Sequence, residues 1–301
     1  MGNRSLYKRN YQLYLMIIPG IISAFIFYYL PMAGAIMAFQ DFKPWLGFIE
    51  SPWVGFKHFH TIFQYDESKQ VIWNTLVIAS LKIVFGLIVP VTFALLLNEV
   101  RNTKLKKTVQ TLVYFPHFLS WVLLGGVLLD ILSPNGGLLN RFIEGVFGIE
   151  PFFFLGDGTS FRITVIVSDV WKEFGFSTIV FLASLAGISP TLYEASVMDG
   201  ANRWKQTVHV TIPGILPIII VMGTLALGNV LNAGFDQIFN LYNPLVYDKG
   251  DIIDTYVYRM SIINGDYSFG TAVGLFKSIV AMILIIISYR LAYKFANYRI
   301  F

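Results

Sequence analysis

Residues 187–217 read GISPTLYEASVMDGANRWKQTVHVTIPGILP, a stretch that predicts two short helices joined by a sharp turn. Gly200 stands where the first helix should end, because helices often end on a glycine in the left-handed conformation. Asn202 suits the N-cap of the second helix, and Pro213 should terminate that helix because proline lacks a backbone N–H. We name residues 189–213 the elbow and expect its bend at Gly200.

The first helix of the elbow has two possible starts. Ser189 followed by Pro190 suits an N-cap and a first helical position, whereas Thr191 and Glu194 have the spacing of a capping box. The elbow supplies no catalytic chemistry, but it offers apolar and charged side chains of the kind that bind another protein. These side chains are Met198, Trp204, Val208, Glu194, Asp199, Arg203 and Lys205.

Long apolar stretches lie on both sides of the elbow. A helix crosses the hydrocarbon core of a bilayer with about 17–25 largely apolar residues, and no stretch of the chain alternates as barrel strands do. The sequence therefore predicts an all-α, polytopic membrane protein in which residues 1–301 form a single transmembrane domain. Pro19 and Pro31 should kink or break the first span. Six stretches are long enough to span: residues 13–39, 75–97, 111–132, 163–188, 214–233 and 271–289.

The composition excludes several other classes of protein. Of the 301 residues, 55% are hydrophobic and 13% are charged, whereas about 25% of residues are charged in a typical soluble domain. These fractions exclude a soluble α/β enzyme, a disordered chain and a nucleic-acid binder. The sequence has no cysteine, which excludes disulfides, cysteine metal sites and a thiol nucleophile.

Lysine and arginine set the expected orientation, since they are enriched in the cytoplasmic loops of membrane proteins. The side that holds both termini, residues 98–110 and the elbow carries more of them than the opposite side. We therefore expect both termini in the cytoplasm. The cations on that side are Arg4, Lys8, Arg9, Arg101, Lys104, Lys106, Lys107, Arg203, Lys205, Arg290, Lys294 and Arg299.

The elbow resembles the EAA signature of ABC importer permeases, which reads E-A-A, three residues, G, nine residues and I-x-L-P. Residues 194–196 read Glu-Ala-Ser, Gly200 follows at the same spacing, and residues 210–213 read Val-Thr-Ile-Pro. The departures are small, since Ser196 replaces an alanine and the other changes are conservative. The resemblance implies a coupling helix that docks on an ATPase subunit through Glu194, Ala195, Ser196, Asp199, Gly200, Arg203 and Pro213.

Other stretches resemble the MalF-like, LplB-type branch of oligosaccharide permeases, so the resemblance covers nearly the whole chain. It implies a MetI-like type I importer fold in a bacterial cell membrane and a sugar substrate, with an oligosaccharide favoured. The implied partners are a second, MalG-like permease, two ATPase subunits and an extracytoplasmic solute-binding protein. This chain has no G-x-x-x-x-G-K-[ST] loop, so ATP and magnesium should bind the ATPase subunits, and we expect no cofactor and no enzymatic activity here. The resembling stretches are residues 30–32, 40–42, 51–56, 171–175, 241–244, 254–259 and 272–278.

Charged residues inside the predicted spans cost about 2.5–3.5 kcal/mol each on insertion scales, so each needs a partner or a role. Asp169 and Lys172 are three residues apart and can pair on one helix face. Trp171 and Lys172 lie either at the membrane interface or at the mouth of a translocation path. Lys82 and Lys277 lie deeper and can form ion pairs with acids on other helices. The full set is Lys82, Asp130, Asp169, Lys172, Glu173 and Lys277.

Four amide side chains cluster near the end of the fifth span, at Asn229, Asn232, Gln237 and Asn240. Amides of this kind bind sugar hydroxyls, and we assign them, with Trp171 and Lys172, to a candidate substrate path. The same residue types also form hydrogen bonds between membrane helices, so this second interpretation stays open.

Other functions are less consistent with the sequence. An ion-gradient-driven secondary transporter of small polar solutes is the main alternative, but the paired broken helices typical of that class are not evident. A membrane-embedded enzyme would need a nucleophile or a metal set. His58 and His60 lack a third ligand nearby in the sequence, so we expect no metal site there.

Overall fold

The structure is a computed structural model that describes residues 11–296. Outside the described residues lie Arg4, Lys8, Arg9, Arg299 and both ends of the predicted domain 1–301, together with the side chain of Lys294. Within residues 11–296 every regular element is helical, and the one β-type pairing is an isolated antiparallel bridge between Gln40 and Trp53. The all-α prediction is confirmed.

The helices of the described part follow one another through mostly short connections. Single helical turns at Gly47–Glu50 and Tyr247–Gly250 and 3₁₀ turns at Phe115–Phe118 and Pro244–Val246 lie between the longer helices. In chain order the longer helices are α1 (Tyr11–Phe39), α2 (Lys57–Gln64), α3 (Asp66–Glu99), α4 (Thr103–Tyr114), α5 (Trp121–Ile131), α6 (Leu138–Phe147), α7 (Gly158–Ala186), α8 (Pro190–Met198), α9 (Arg203–Gly228), α10 (Phe235–Leu241), α11 (Ile253–Tyr258) and α12 (Tyr267–Ala296).

The predicted spans correspond to these helices. In the described part α1, α3, α9 and α12 are each long and apolar enough to cross a membrane, and two bent pairs bring the number of spans to six if each pair is one span. The pair α7 and α8 is bent by 67°, and the pair formed by α5 with α4 and its 3₁₀ extension is bent by 102°. The third predicted span, 111–132, is therefore not continuous. Pro116 cannot donate to the helix, and the Ser120 hydroxyl accepts from the Leu123 N–H at 3.3 Å to begin α5 afresh.

Two prolines are accommodated by widened helical turns. A π turn at Phe25–Tyr29 precedes Pro31, and another at Thr207–Thr211 precedes Pro213; in each, the N–H of the next residue bonds the carbonyl five residues back. The prediction that Pro213 ends the second elbow helix is wrong, because the wider turn relieves the contact between a proline ring and the preceding turn, and α9 continues through it. Pro31 thus interrupts the regular α1 helix as predicted, whereas Pro19 lies within regular α-helix.

The described residues form two compact units, one of residues 11–64 with 257–276 and one of residues 65–256 with 277–296. In the first unit the Phe42 N–H bonds the Ser268 hydroxyl at 2.8 Å. Residues 11–32 of α1 are exposed almost throughout. The single transmembrane domain predicted for residues 1–301 stays a prediction.

Helices α3 and α7 form the centre of the second unit. Ala94, Phe181 and Ile215 are buried in a core shared by α3, α7 and α9. Gly175 of α7 packs so closely on α4 that a Cβ atom there would lie 2.2 Å from the Val113 carbonyl oxygen. Small residues of this kind let membrane helices approach closely. Close packing matters in a membrane because burial of apolar side chains gains little free energy relative to contact with lipid tails.

Candidate functional sites at the elbow and the Lys82 cavity

Gly200 produces the bend of the elbow. Its φ angle is +75°, in the left-handed region that glycine adopts without strain. The Gly200 N–H bonds the Val197 carbonyl at 3.0 Å, and the Ala201 N–H bonds the Ser196 carbonyl at 2.9 Å. The two bonds form a Schellman motif that satisfies the last carbonyls of α8. The predicted left-handed end of the first elbow helix is confirmed.

The two elbow helices begin with different caps. Helix α8 begins at Pro190 after Ser189, which confirms the first of the two predicted starts and excludes the capping-box start. The Ser189 hydroxyl lies 2.7 Å from the Thr191 hydroxyl and caps no backbone N–H. Helix α9 begins after Asn202, whose side-chain oxygen accepts from the Lys205 N–H at 2.9 Å, as predicted.

Side-chain hydrogen bonds connect α8 to α9 inside the elbow. Ser196 Oγ accepts from Gln206 Nε2 at 3.1 Å and donates to the Tyr193 carbonyl at 2.7 Å. The hydroxyls of Tyr193 and Thr211 lie 3.0 Å apart, and Gln206 is buried. The elbow is therefore braced from within, and Ser196 points toward its partner helix instead of outward.

The outer surface of the elbow is exposed and chemically mixed. Met198 is 87% exposed and Trp204 is 74% exposed, whereas Val208 is half-buried. Glu194 is exposed and lies in the middle of α8, and in the part of the chain that the structure describes no group bonds its carboxylate. The exposed Arg203 guanidinium lies 3.8 Å from a carboxylate oxygen of Glu99, at the end of α3.

Of the remaining coupling candidates, Ala195 and Asp199 lie on the exposed side of α8, and Pro213 lies inside α9. Shallow depressions flank the bend. One is lined by Glu194, Val197, Asn202 and Arg203, among others. The other includes Ala195, Asp199 and Lys205 in its lining.

A second candidate site is a cavity of about 300 Å³ in the second unit, bordered by α3, α7 and α9. We name it the Lys82 cavity. Its wall combines charged, amide and hydroxyl groups with apolar side chains. The lining residues are Ala79, Lys82, Ile83, Gly86, Leu87, Asp169, Ser177, Phe181, Met222, Ala226, Asn229, Asn232, Ala233 and Gly234.

The charges in the spans pair differently from what their sequence spacing suggests. Asp169 does not pair with Lys172, because its carboxylate lies 3.0 Å from the ammonium of Lys82 on α3. Lys172 points to another side of α7, where its ammonium donates to Glu173 at 2.8 Å and to the His117 carbonyl at 2.9 Å. The pair of Asp169 with Lys172 that their spacing allows does not form, because both side chains bind other groups.

The cluster around Lys172 spans the break between α4 and α5. Glu173 also bonds the His117 ring nitrogen at 2.7 Å, and that ring stacks on Phe176 with centroids 4.1 Å apart. The Lys172 ammonium lies 5.6 Å from the centre of the Trp121 ring, a favourable cation–π distance. All of these groups are engaged in holding the break of the third span against α7.

The structure separates the candidate path residues into two groups. Asn229 and Asn232 are exposed and line the Lys82 cavity. The described residues that line this cavity do not include the four others. Gln237 is fully buried, and Lys172 is buried beside Glu173. Trp171 lines an apolar groove with Phe85 and Phe174. The amide of Asn240 donates to the Asp236 carbonyl.

Two features of the cavity were missed at the sequence level. Lys82 and Asp169 were recognised only as charges that needed partners, although their position inside spans was the signal that they share a site. Ser177 carries no distinguishing pattern in the sequence. The other deep lysine, Lys277, forms an ion pair with Asp254 in which nitrogen and oxygen lie 2.5 Å apart. Neither residue is among the described residues that line the cavity.

No cluster of three or more His, Asp or Glu side chains that could hold a metal occurs among residues 11–296. In the first unit His58 is buried and its ring nitrogen lies 3.1 Å from the Gln40 carbonyl oxygen. The hydrogen bond accounts for His58 as a structural residue.

The chain has extensive similarity to known proteins. Residues 83–300 match the family described as binding-protein-dependent transport system inner membrane component. Protein LplB of Bacillus subtilis (strain 168) is 43% identical over 294 residues, which cover 98% of this chain and 92% of that protein. The polygalacturonan/rhamnogalacturonan transport system permease protein YteP of the same strain is 43% identical over 289 residues, which cover 96% and 90% of the two chains.

Solved structures of similar fold support the same conclusion. A chain in the crystal structure of a bacterial ABC transporter involved in the import of the acidic polysaccharide alginate is 38% identical, with a TM-score of 0.90 over 97% of this chain and 98% of that one. A chain in a bacterial alginate ABC transporter in complex with alginate pentasaccharide-bound periplasmic protein is 37% identical, with a TM-score of 0.90 over 99% of each chain.

The resemblance of the chain to ABC importer permeases is thus confirmed as a family relationship, and the ion-gradient-driven alternative is set aside. The long apolar helices agree with an inner-membrane component. The chain belongs to the family of binding-protein-dependent transport system inner membrane components, and it is a permease subunit of an ABC importer, without enzymatic activity of its own.

Proposed function

We propose that the chain conducts an oligosaccharide across a bacterial plasma membrane and that the Lys82 cavity forms part of the path. The cavity is the observation that carries this proposal, because it presents two exposed asparagine amides and a half-buried serine hydroxyl beside an ion pair and apolar side chains. Amide and hydroxyl groups of this kind can donate to and accept from the hydroxyl groups of a sugar. The relatives YteP and the alginate transporter, whose names refer to acidic polysaccharides, support the same substrate class.

The proposed assembly contains a second, MalG-like permease, two ATPase subunits and an extracytoplasmic solute-binding protein. The complex of an alginate transporter with its periplasmic protein supports the last of these partners. ATP and magnesium bind the ATPase subunits. Both termini and the elbow lie in the cytoplasm, in agreement with the lysine and arginine distribution.

The elbow is the proposed contact with an ATPase subunit. Its internal hydrogen bonds are satisfied, so it presents a preorganised surface at low entropic cost. The exposed apolar side chains of Met198 and Trp204 supply contact area, and the exposed Glu194 carboxylate supplies a charge for a partner. Aromatic and methionine side chains are enriched at protein interfaces. In this scheme Glu194 contacts the partner, whereas Ser196 and Gly200 shape the elbow.

Uptake measurements on cavity variants test the proposal. Asn229→Leu and Asn232→Leu keep side-chain bulk but remove the hydrogen bonds, so uptake of labelled alginate or polygalacturonan oligosaccharides by cells should fall while the purified complex stays intact. Asn240→Leu is the matched control, since Asn240 bonds within α10 and is not part of the cavity lining.

The control makes the outcome specific. Uptake should stay near the unmodified level in Asn240→Leu. Equal losses in all three variants, or dissociation of the complex by the cavity variants, would instead identify Asn229 and Asn232 as residues that hold the helices together. A panel that includes neutral maltooligosaccharides separates acidic from neutral specificity.

A further inference from the structure

The fifth span loses its helical structure beside the Lys82 cavity. Helix α9 ends at Gly228 and α10 begins at Phe235, so residues 229–234 have no regular helix. We name residues 229–234 the unwound stretch. Backbone groups of such a stretch need partners, because lipid supplies none. Some are met locally, as when the Asn232 N–H bonds the Asn229 carbonyl at 2.8 Å.

The Ala233 carbonyl accepts a hydrogen bond from a side chain that is distant in the sequence. The Lys82 ammonium, on α3, donates to this carbonyl at 2.8 Å. The same nitrogen lies 3.0 Å from Asp169 of α7 and 2.5 Å from the side-chain oxygen of Gln237 at the start of α10. An ammonium group has three donors, and all three are used here.

Gln237 extends this network to the backbone of α7. It is fully buried, and its amide nitrogen donates to the Val165 carbonyl and to the Ser168 hydroxyl, each at 2.8 Å. Lys82 and Gln237 together therefore tie the end of the unwound stretch to two different helices. The position of Gln237 explains why it does not face the cavity.

Gly234 makes room for the ammonium. Its φ angle is +98°, in a region that favours glycine. A Cβ atom at this position would lie 2.9 Å from the Lys82 nitrogen. Any larger residue would therefore strain the backbone and push the ammonium away from its acceptors.

We propose that Lys82 is a positioning residue that clamps the unwound stretch to α3 and α7 and thereby holds Asn229 and Asn232 on the wall of the cavity. Stability alone is a poor explanation for this lysine, because replacing a buried ion pair by well-packed apolar side chains is often neutral or stabilising. The clamp explains why a charged residue lies here. The Lys82 ammonium donates to the Ala233 carbonyl, which has no partner within a regular helix because the stretch is unwound. Only the identification of the cavity as a sugar path rests on the proposed function.

A spin label on the unwound stretch measures the clamp without any substrate. The chain has no cysteine, so Asn232→Cys gives a single attachment site on this subunit. The complete transporter is purified in nanodiscs with every cysteine of the partner subunits replaced by serine. In the unmodified background the label should be largely immobile. In Lys82→Met the ratio of mobile to immobile label should rise about tenfold, because bonds to a charged group are lost.

Three further variants make the result specific. Lys82→Arg retains a cation that can donate to the same acceptors and should restore the immobile spectrum. Gly234→Ala should raise mobility without changing any charge, and it decides the matter if Lys82→Met fails to assemble. Lys277→Met is the matched control, because this lysine pairs with Asp254 and lies off the cavity lining.

Two results would overturn the proposal. One is an unchanged spectrum in an assembled Lys82→Met complex, or in Gly234→Ala if Lys82→Met does not assemble. The other is an equal rise in mobility in Lys277→Met. If the proposed sugar path is wrong, uptake in Asn229→Leu and Asn232→Leu stays at the unmodified level while the spectra still change as expected. The two proposals can therefore fail separately.

Discussion

Replacement of Gly200 tests the elbow at its most constrained position. The φ angle of +75° is costly for a side chain with a Cβ atom, and most costly for a β-branched one. An added Cβ meets no atom within 4 Å among residues 11–296, so the cost there is conformational. For Gly200→Val we expect about 1–3 kcal/mol, enough to reduce the population of the native turn by about fivefold to over a hundredfold.

The chain offers a matched control at the same position. Asparagine tolerates the left-handed region better than other residues with a side chain. Gly200→Asn should therefore keep the Schellman bonds of Val197 and Ser196 while it adds a side chain of similar size to valine. A defect in the valine variant alone would identify the turn geometry as the cause, whereas a defect in both would identify a contact too tight for any side chain.

The assay uses the purified complex in nanodiscs. ATPase subunits retained on pull-down and hydrolysis stimulated by loaded binding protein should both fall in Gly200→Val, with the six spans inserted and the permeases still paired. Normal retention together with normal stimulation in this variant would refute the coupling role of the elbow.

Three other predictions concern the same surface and its orientation. Glu194→Ala should weaken ATPase retention or uncouple hydrolysis from transport without loss of the folded permease, because the exposed carboxylate has no partner in the described part of the chain; full coupling would exclude it from the contact. Ser196→Val should destabilise the elbow by about 1 kcal/mol or more, because it removes the acceptor of a 3.1 Å bond from α9, and an undiminished stimulated hydrolysis would show that this bond is dispensable. A single cysteine at Lys104 or Lys205 should react only with membrane-permeant thiol reagents in intact cells, and one at Lys249 with impermeant reagents; the reverse labelling would overturn the topology.

Local patterns were sufficient to predict the bend of the elbow. The glycine at its bend and the Asn202 cap follow from rules that act within a few residues, whereas the same rules left two possible starts for α8. Pro213 was misjudged because the π turn before it depends on how the widened backbone packs, which proline position alone does not reveal. The break in the third predicted span had a visible signal in Pro116 and Ser120, but the apolar run on both sides concealed it.

Long-range pairs were beyond the sequence. Lys82 and Asp169 are 87 residues apart, and nothing in either segment specifies the other. For the same reason the sequence assigned all four amides to one role. In the structure two of them line the cavity, whereas Gln237 accepts a hydrogen bond from Lys82. The difference arises because Asn229 and Asn232 lie in the unwound stretch, whereas Gln237 and Asn240 lie in α10. A regular helical projection of the fifth span cannot show this break.

Transport in a defined system tests the central claim most directly. The permease is reconstituted into proteoliposomes with its partner permease, ATPase subunits and solute-binding protein, and uptake of a labelled acidic oligosaccharide is followed. We predict uptake that requires ATP, is unaffected by a protonophore, and falls in Asn229→Leu and Asn232→Leu but not in Asn240→Leu. The account would be contradicted by uptake that persists without ATP and collapses with the protonophore, or by failure of every acidic and neutral oligosaccharide in the panel to enter.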